Sequence, residues 1–164
     1  MENKKGSVQD LIFLILVLTF FAFATLIGFR IHSGINDQIQ TNDMVDTYGK
    51  EASTQLNGLY TGTFDNIYLL LAIGMSIVAL ILAALVMIHP IFIIFYLIAW
   101  VIVIFISGVF SNLYQEMASN PSLIAYADQL VIITSVMTYL PLIIGIVGGL
   151  LMVFSYKIYR LRIA

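Results

Sequence analysis

The chain has 164 residues, 61% of them hydrophobic and 10% charged, with a mean hydropathy of +1.02 and a formal net charge of −2. A soluble domain carries about 25% charged residues, so this composition points away from water and toward a lipid environment. It contains no cysteine, which excludes disulfides, thiolate metal sites and cysteine nucleophiles, and its acidic balance offers no basic patch for nucleic acid.

Residues 1–10 form a polar start with Lys4 and Lys5. An apolar stretch follows, broken only by Thr19, Thr25 and Gly28, and it predicts a first span over 11–30. Basic residues before an apolar core, with Ala22-Phe23-Ala24 as a cleavage box, have the form of a signal sequence. The apolar run continues past that box to Phe29, so the segment reads as a retained signal anchor. Lys4-Lys5-Gly6-Ser7 before an apolar helix also resembles the processing site of archaeal pilins and archaellins. Those subunits have one membrane helix and a β-rich head, and the further apolar stretches of this chain contradict that plan.

Residues 31–66 are the longest polar segment and hold Asp37, Asp43, Asp46, Lys50, Glu51 and Asp65. Ile35, Ile39, Val45, Tyr48, Ala52, Leu56 and Leu59 approximate a helical stripe, which predicts one amphipathic helix between Ile35 and Leu59. Its polar face is acidic, whereas helices held to anionic lipid carry basic faces. Packing against protein is therefore expected. Gly58 and Thr61-Gly62-Thr63 read as a turn, and Thr63 or Asp65 as the N-cap of the next helix.

From Asn66 to Gln115 there is no Asp, Glu, Lys or Arg. One helix of that length would measure roughly 75 Å at about 1.5 Å per residue, against a hydrocarbon core of about 30 Å. Two spans fit, over 67–88 and 91–110. The break belongs at His89-Pro90, because proline ends one helix and suits the first turn of the next. So short and apolar a connection predicts a tight antiparallel hairpin. The alternative, a single kinked helix, would push one apolar half into water. Ala72, Ser76, Ala79 and Ala83 share one face and are candidates for a helix–helix seam, although alanine and serine are common in any span. Trp100 lies mid-span rather than at an interface, so it is expected to pack between helices with its indole N–H seeking a partner.

Residues 111–137 form the second exposed segment. Asn120-Pro121 reads as a helix start, and Leu123, Ala127, Leu130, Val131 and Thr134 recur at helical spacing. Pro141 sets the start of the last span, expected over 138–159. Gly145 and Gly149 form a small-xxx-small pair, a packing motif that also arises by chance. Lys157, Tyr159 and Arg160 have the character of interface anchors.

The fold expected is thus an all-α integral membrane protein, a single membrane domain over 1–164. It has four transmembrane helices, a tight central hairpin and amphipathic helical segments in the two exposed loops. Of the seven basic residues only Arg30 and Lys50 lie away from the termini. The positive-inside rule then puts both termini and His89 on the cytoplasmic or equivalent side.

No ionisable residue is expected inside a span, which disfavours a proton relay or coupled transporter. Residues with phosphate-binding, zinc-protease or hydrolase spacing are absent. His32 and His89 fall on opposite sides by this topology and cannot share a metal, and the first-loop acids match no calcium loop. No catalytic residue, metal or cofactor is assigned.

The segment from Trp100 to Tyr159 contains Ser111-Asn112-Leu113-Tyr114, Tyr139-Leu140-Pro141 and a glycine-containing last span ending in Tyr156-Lys157. In this it resembles small hydrophobic proteins of tailless icosahedral DNA viruses that carry an internal membrane. The resemblance implies a virion membrane protein that anchors capsid to membrane. The expected partners are the lipid bilayer, further copies of the chain and other membrane or capsid proteins, with no nucleic acid. Two other readings stay open. One is a pore, holin-like or small transport subunit lined by Ser76, Ser107, Thr134, Ser135 and Thr138. The other is an accessory subunit of a larger membrane complex.

Overall fold

The computed structural model describes residues 8–85 and 91–163, with side chains placed over 9–81 and 94–154. Regular structure among the described residues is entirely helical. Three helical stretches are long and apolar enough to cross a membrane: Gln9–Thr41, Thr47–Ile81 and Ile94–Ala118. A fourth, Val131–Thr138 with Leu140–Phe154, qualifies as a pair bent by 62°.

Helix α1 spans Val8–Thr41, 34 residues, or about 51 Å. It therefore runs well past the expected boundary at residue 30. Leu14, Leu18, Ala22, Leu26 and Phe29 recur at helical spacing and form its buried face. The chain then reverses over residues 42–46, where Met44 N–H donates to Asn42 Oδ1 (2.9 Å). Asp46 caps α2 (Thr47–Leu59) by accepting from Gly49 N–H at 2.9 Å. Gln40 closes the pair from α1, donating to Lys50 O (2.9 Å) and Thr54 Oγ1 (3.1 Å).

This corrects the expectation of one amphipathic helix from Ile35 to Leu59. The stripe crosses a turn, and α1 and α2 pack as a helical hairpin that buries Ser53 while Ile35, Tyr48, Leu56 and Leu59 of the stripe stay exposed. The predicted turn at Gly58 to Thr63 is absent as well. Tyr60–Phe64 is a π-helical turn in which Asp65 N–H reaches back to Tyr60 O, and the helix passes directly into α3 (Asp65–Leu85). A stack of rings holds this level: Phe29 lies on Tyr60 (5.2 Å) and edge-on to Tyr126 (5.3 Å), with Phe64 against Tyr60 (5.2 Å).

Helix α4 spans Ile91–Ala118, α5 Ile124–Ala127, α6 Val131–Thr138 and α7 Leu140–Ile163. Asn120 makes a local turn, accepting from Ser122 N–H and Oγ, so the helix there starts at Ile124 and not at Pro121. Pro141 sits in the first turn of α7, where it forfeits no helical hydrogen bond.

Around the bundle, α3 and α4 each pack mainly against α1 and α7 and stand at opposite corners. Among the described residues, the tight packing of α3 on α4 expected from the sequence is not seen, and α1 and α7 lie between them. The turn expected to join them, His89-Pro90, lies outside the described residues. α4 and α7 run antiparallel, as Tyr96 reaches Gly148 while Ser111 reaches Thr138. α1 and α3 are antiparallel too, through Phe21 on Tyr68 and Phe29 on Tyr60. The start of α1 and the end of α7 consequently lie at one end of the bundle, and the α1–α2 hairpin at the other. Many large apolar side chains face outward, including Phe20 (77% exposed), Leu70 (70%) and Phe105 (74%).

Candidate functional site

Polar chemistry in the interior concentrates around α6, a short helix bounded on both sides by breaks. Leu130, its N-cap residue, offers no side-chain cap. The cap comes from another helix. Asp65, only 4% exposed at the head of α3, accepts from Ile132 N–H through Oδ2 (3.0 Å) and from Ile133 N–H through Oδ1 (2.8 Å). These are the donors that a local Asp or Ser would satisfy. Both oxygens act as acceptors at the end of the helix where the free N–H groups and the positive pole of the dipole lie. Asp65 therefore does not cap its own helix, as the sequence suggested, because no chain break occurs there.

The other end of α6 is bound from α4. Thr138 O accepts from Ser111 Oγ (3.3 Å), which in turn accepts from Gln115 Nε2 (3.1 Å). Between the two ends, Tyr114 Oη lies 3.2 Å from Thr134 Oγ1. The Thr134 hydroxyl hydrogen goes to Ala127 O (3.0 Å), so Tyr114 is the donor to Thr134. Side chains from α3 and α4 thus hold the half-helix at its start, middle and end.

A second set of contacts joins α4 to α7. Trp100, half-buried, lays its indole over Gly148 and Gly149 and donates from Nε1 to Ile144 O (3.4 Å). One turn away, Tyr96 donates to Gly148 O (3.1 Å). A Cβ on Gly148 would come within 2.2 Å of Trp100 Nε1, whereas one on Gly145 would meet only Ile104 at 3.9 Å and one on Gly149 the Trp100 ring at 3.6 Å. Gly148, not the Gly145/Gly149 pair, is the position at which the helices approach too closely for a side chain.

Among the other sequence candidates, Ala72 and Ala79 are buried on α3, and Ser76 bonds back to Ala72 O (2.7 Å). The side chain of Ala83, on α3, and those of Lys157, Tyr159 and Arg160, on α7, lie outside the described side chains. Three further residues proposed for a pore also have hydrogen bonds within the protein. Ser107 bonds Ile104 O and Ser135 bonds Val131 O, each at 2.7 Å, while Thr134 is engaged with Tyr114 and Ala127.

Sequence reasoning missed the roles of Tyr114 and Gly148 and the partner of Asp65. Asp65 was legible as a capping residue type, but its target is 67 and 68 positions away. Among the described residues, no group of three or more His, Cys, Asp or Glu side chains is placed to hold a metal ion. Comparison with protein-family models, curated proteins and solved structures finds no match to this chain.

Proposed function

We propose that this chain is a non-enzymatic, four-span membrane protein with a structural or assembly role. The observation that carries the reading is how the interior polar groups are used. The bonded side chains around α6 and α7 (Asp65, Tyr96, Trp100, Ser111, Tyr114 and Thr134) end on backbone groups or on one another. Such an arrangement fixes helices relative to each other, and these groups are engaged with the backbone and with one another rather than grouped around a substrate-sized space.

The outward face fits lipid. Leaving a large apolar side chain such as Phe20 or Phe105 in water forgoes roughly 1.5–3 kcal/mol each. Beyond the apolar zone the α1–α2 hairpin projects, since about 51 Å of α1 exceeds a hydrocarbon core of about 30 Å. Its tip exposes Met44 (96%) and Tyr48 (82%) among acidic residues, a surface suited to contact with another protein. The positive-inside distribution puts that hairpin on the outer side and both termini on the cytoplasmic or equivalent side. The resemblance over residues 100–159 supports a virion internal membrane as the location and a capsid protein as the partner.

A bent helix pair beside a buried carboxylate also occurs at transport sites, and a pore or transport subunit is the competing reading. Purification from the native membrane or particle, without overexpression, separates the two. Co-purifying capsid protein is the expected result. Ion or solute flux from liposomes that contain this chain alone would overturn the structural role.

A further inference from the structure

On the side of the bundle where the α1–α2 hairpin projects, α1 and the α4–α5 connection border a groove of about 620 Å³. Its depth relative to the apolar zone can be read along α1. Leu11 to Phe29 covers roughly 28 Å at about 1.5 Å per residue, close to a hydrocarbon core of about 30 Å, and Arg30 is the next residue. The groove straddles that edge. Its floor is apolar, with Ile27 on α1, Met117 on α4 and Leu123 just before α5. The ring contacts of Phe23 with Tyr114 (5.8 Å) and of Phe29 with Tyr126 (5.3 Å) set this floor at the outer end of the apolar zone. Arg30, exposed, is the one charged residue among the described residues that line the groove, and Gln38 stands about two turns farther out on the same helix. Between them, a Cβ on Gly34 would meet nothing within 4 Å, so the backbone of α1 is open to approach there.

We propose that this groove seats one glycerophospholipid of the leaflet on the hairpin side, with its phosphodiester on the Arg30 guanidinium and an acyl chain over Ile27, Met117 and Leu123. Along the groove the chemistry runs from apolar to cationic to amide. A phospholipid leaving the hydrocarbon core presents the complementary order of acyl chain, phosphate and polar headgroup. The guanidinium offers a planar fork of N–H donors to two phosphate oxygens, while its stem lies along the apolar wall. The gap at Gly34 leaves room beside Arg30 for the rest of the headgroup, with the Gln38 amide beyond it. A protein helix seated there would have to bring its own anion to a depth at which the bilayer already supplies phosphate. The inference rests on the reading of α1 as a membrane span.

Photolabelling of the full-length chain in bilayer nanodiscs tests it. The probe is a phosphatidylcholine with a diazirine on one acyl chain, and the comparison is a diacylglycerol with the same chain. Mass spectrometry reads the label on the peptide containing Ile27 against that on the peptide containing Phe105, which faces outward on α4 (74% exposed). The expected result is several-fold heavier labelling at Ile27 than at Phe105 with the phospholipid, and no such excess with diacylglycerol. Arg30→Gln should abolish the excess and Arg30→Lys keep most of it. Arg30 is exposed, so neither change disturbs the core. Equal labelling of the two faces by the phospholipid, or an excess that survives Arg30→Gln, would overturn the proposal. So would an Ile27 peptide cross-linked to a second copy of the chain in place of lipid. Absence of label at Phe105 from both probes would count against the membrane reading itself, and the proposal would fall with it.

Discussion

Asp65 Oδ1 accepts the backbone N–H of Ile133 at 2.8 Å across 68 positions of sequence. A carboxylate at the head of one long helix thereby supplies the N-cap of a half-helix that has none of its own. The bond fixes where α6 begins, and the 62° bend at Tyr139 fixes where it ends. Between these two points the chain changes direction without exposing free helix termini, which an apolar environment would penalise.

Replacing Asp65 with Ala removes the cap and leaves two N–H groups unmatched. A lost cap costs about 0.5–2 kcal/mol and each orphaned buried donor about 1–3 kcal/mol. Asp65→Ala is therefore expected to destabilise by about 2–3 kcal/mol, and Asp65→Asn, which keeps one acceptor oxygen, by about 1 kcal/mol. Thermal unfolding in detergent reads the size. Hydrogen exchange locates it: the Ile132 and Ile133 amides should exchange faster in the variants while amides in the middle of α4 keep their protection.

Gly148 and Gly145 lie on the same helix but are expected to respond oppositely to alanine. At Gly148 the new methyl would meet Trp100 Cδ1 at 2.4 Å as well as Nε1 at 2.2 Å, and overpacking of this kind costs about 1–3 kcal/mol. At Gly145 the nearest atom is at 3.9 Å, so the gain in helix propensity of up to about 1 kcal/mol is retained. Unfolding midpoints of the two variants, compared in the same detergent, check both signs. Trp100→Phe should recover part of the loss at Gly148.

How far these features could be read from the sequence depended on whether their cause was local. Pro141 marks a helix start through its own missing N–H, and α7 begins one residue before it. The long apolar stretches follow from composition alone. The reversal over residues 42–46 escaped because helical spacing holds on either side of it; the one irregular step, six residues from Ile39 to Val45, falls at the turn itself. Asn42 and Asp46 were the usable signals, as turn and cap formers. Gly58 and Gly62 suggested a turn, yet helix continues through both because a π-helical turn absorbs the irregularity while Tyr60 packs on Phe29. The diagonal placement of α3 and α4 depends on where α1 and α7 insert, which no short-range pattern encodes. The same holds for Gly148, whose role was set by the position of the Trp100 ring.

The hairpin of α1 and α2 should be separable from the bundle. Asp46→Ala removes the α2 cap at Gly49 N–H and is expected to cost about 1 kcal/mol. Hydrogen exchange should rise at Gly49 and Lys50, with α4 and α7 unaffected. Loss of protection throughout the chain would show instead that the hairpin and the bundle unfold as one unit.

The central claim, four crossings with the hairpin and the termini on opposite sides, has a direct test because the chain contains no cysteine. Single cysteines at Tyr48, Ser122, Ser7 and Ala164 can be labelled with a membrane-impermeant maleimide in sealed, oriented vesicles. Labelling at Tyr48 and Ser122 from one side, with Ser7 and Ala164 reached only after permeabilisation, is the predicted result. Labelling of all four positions from the same side of intact vesicles would contradict the four-span arrangement.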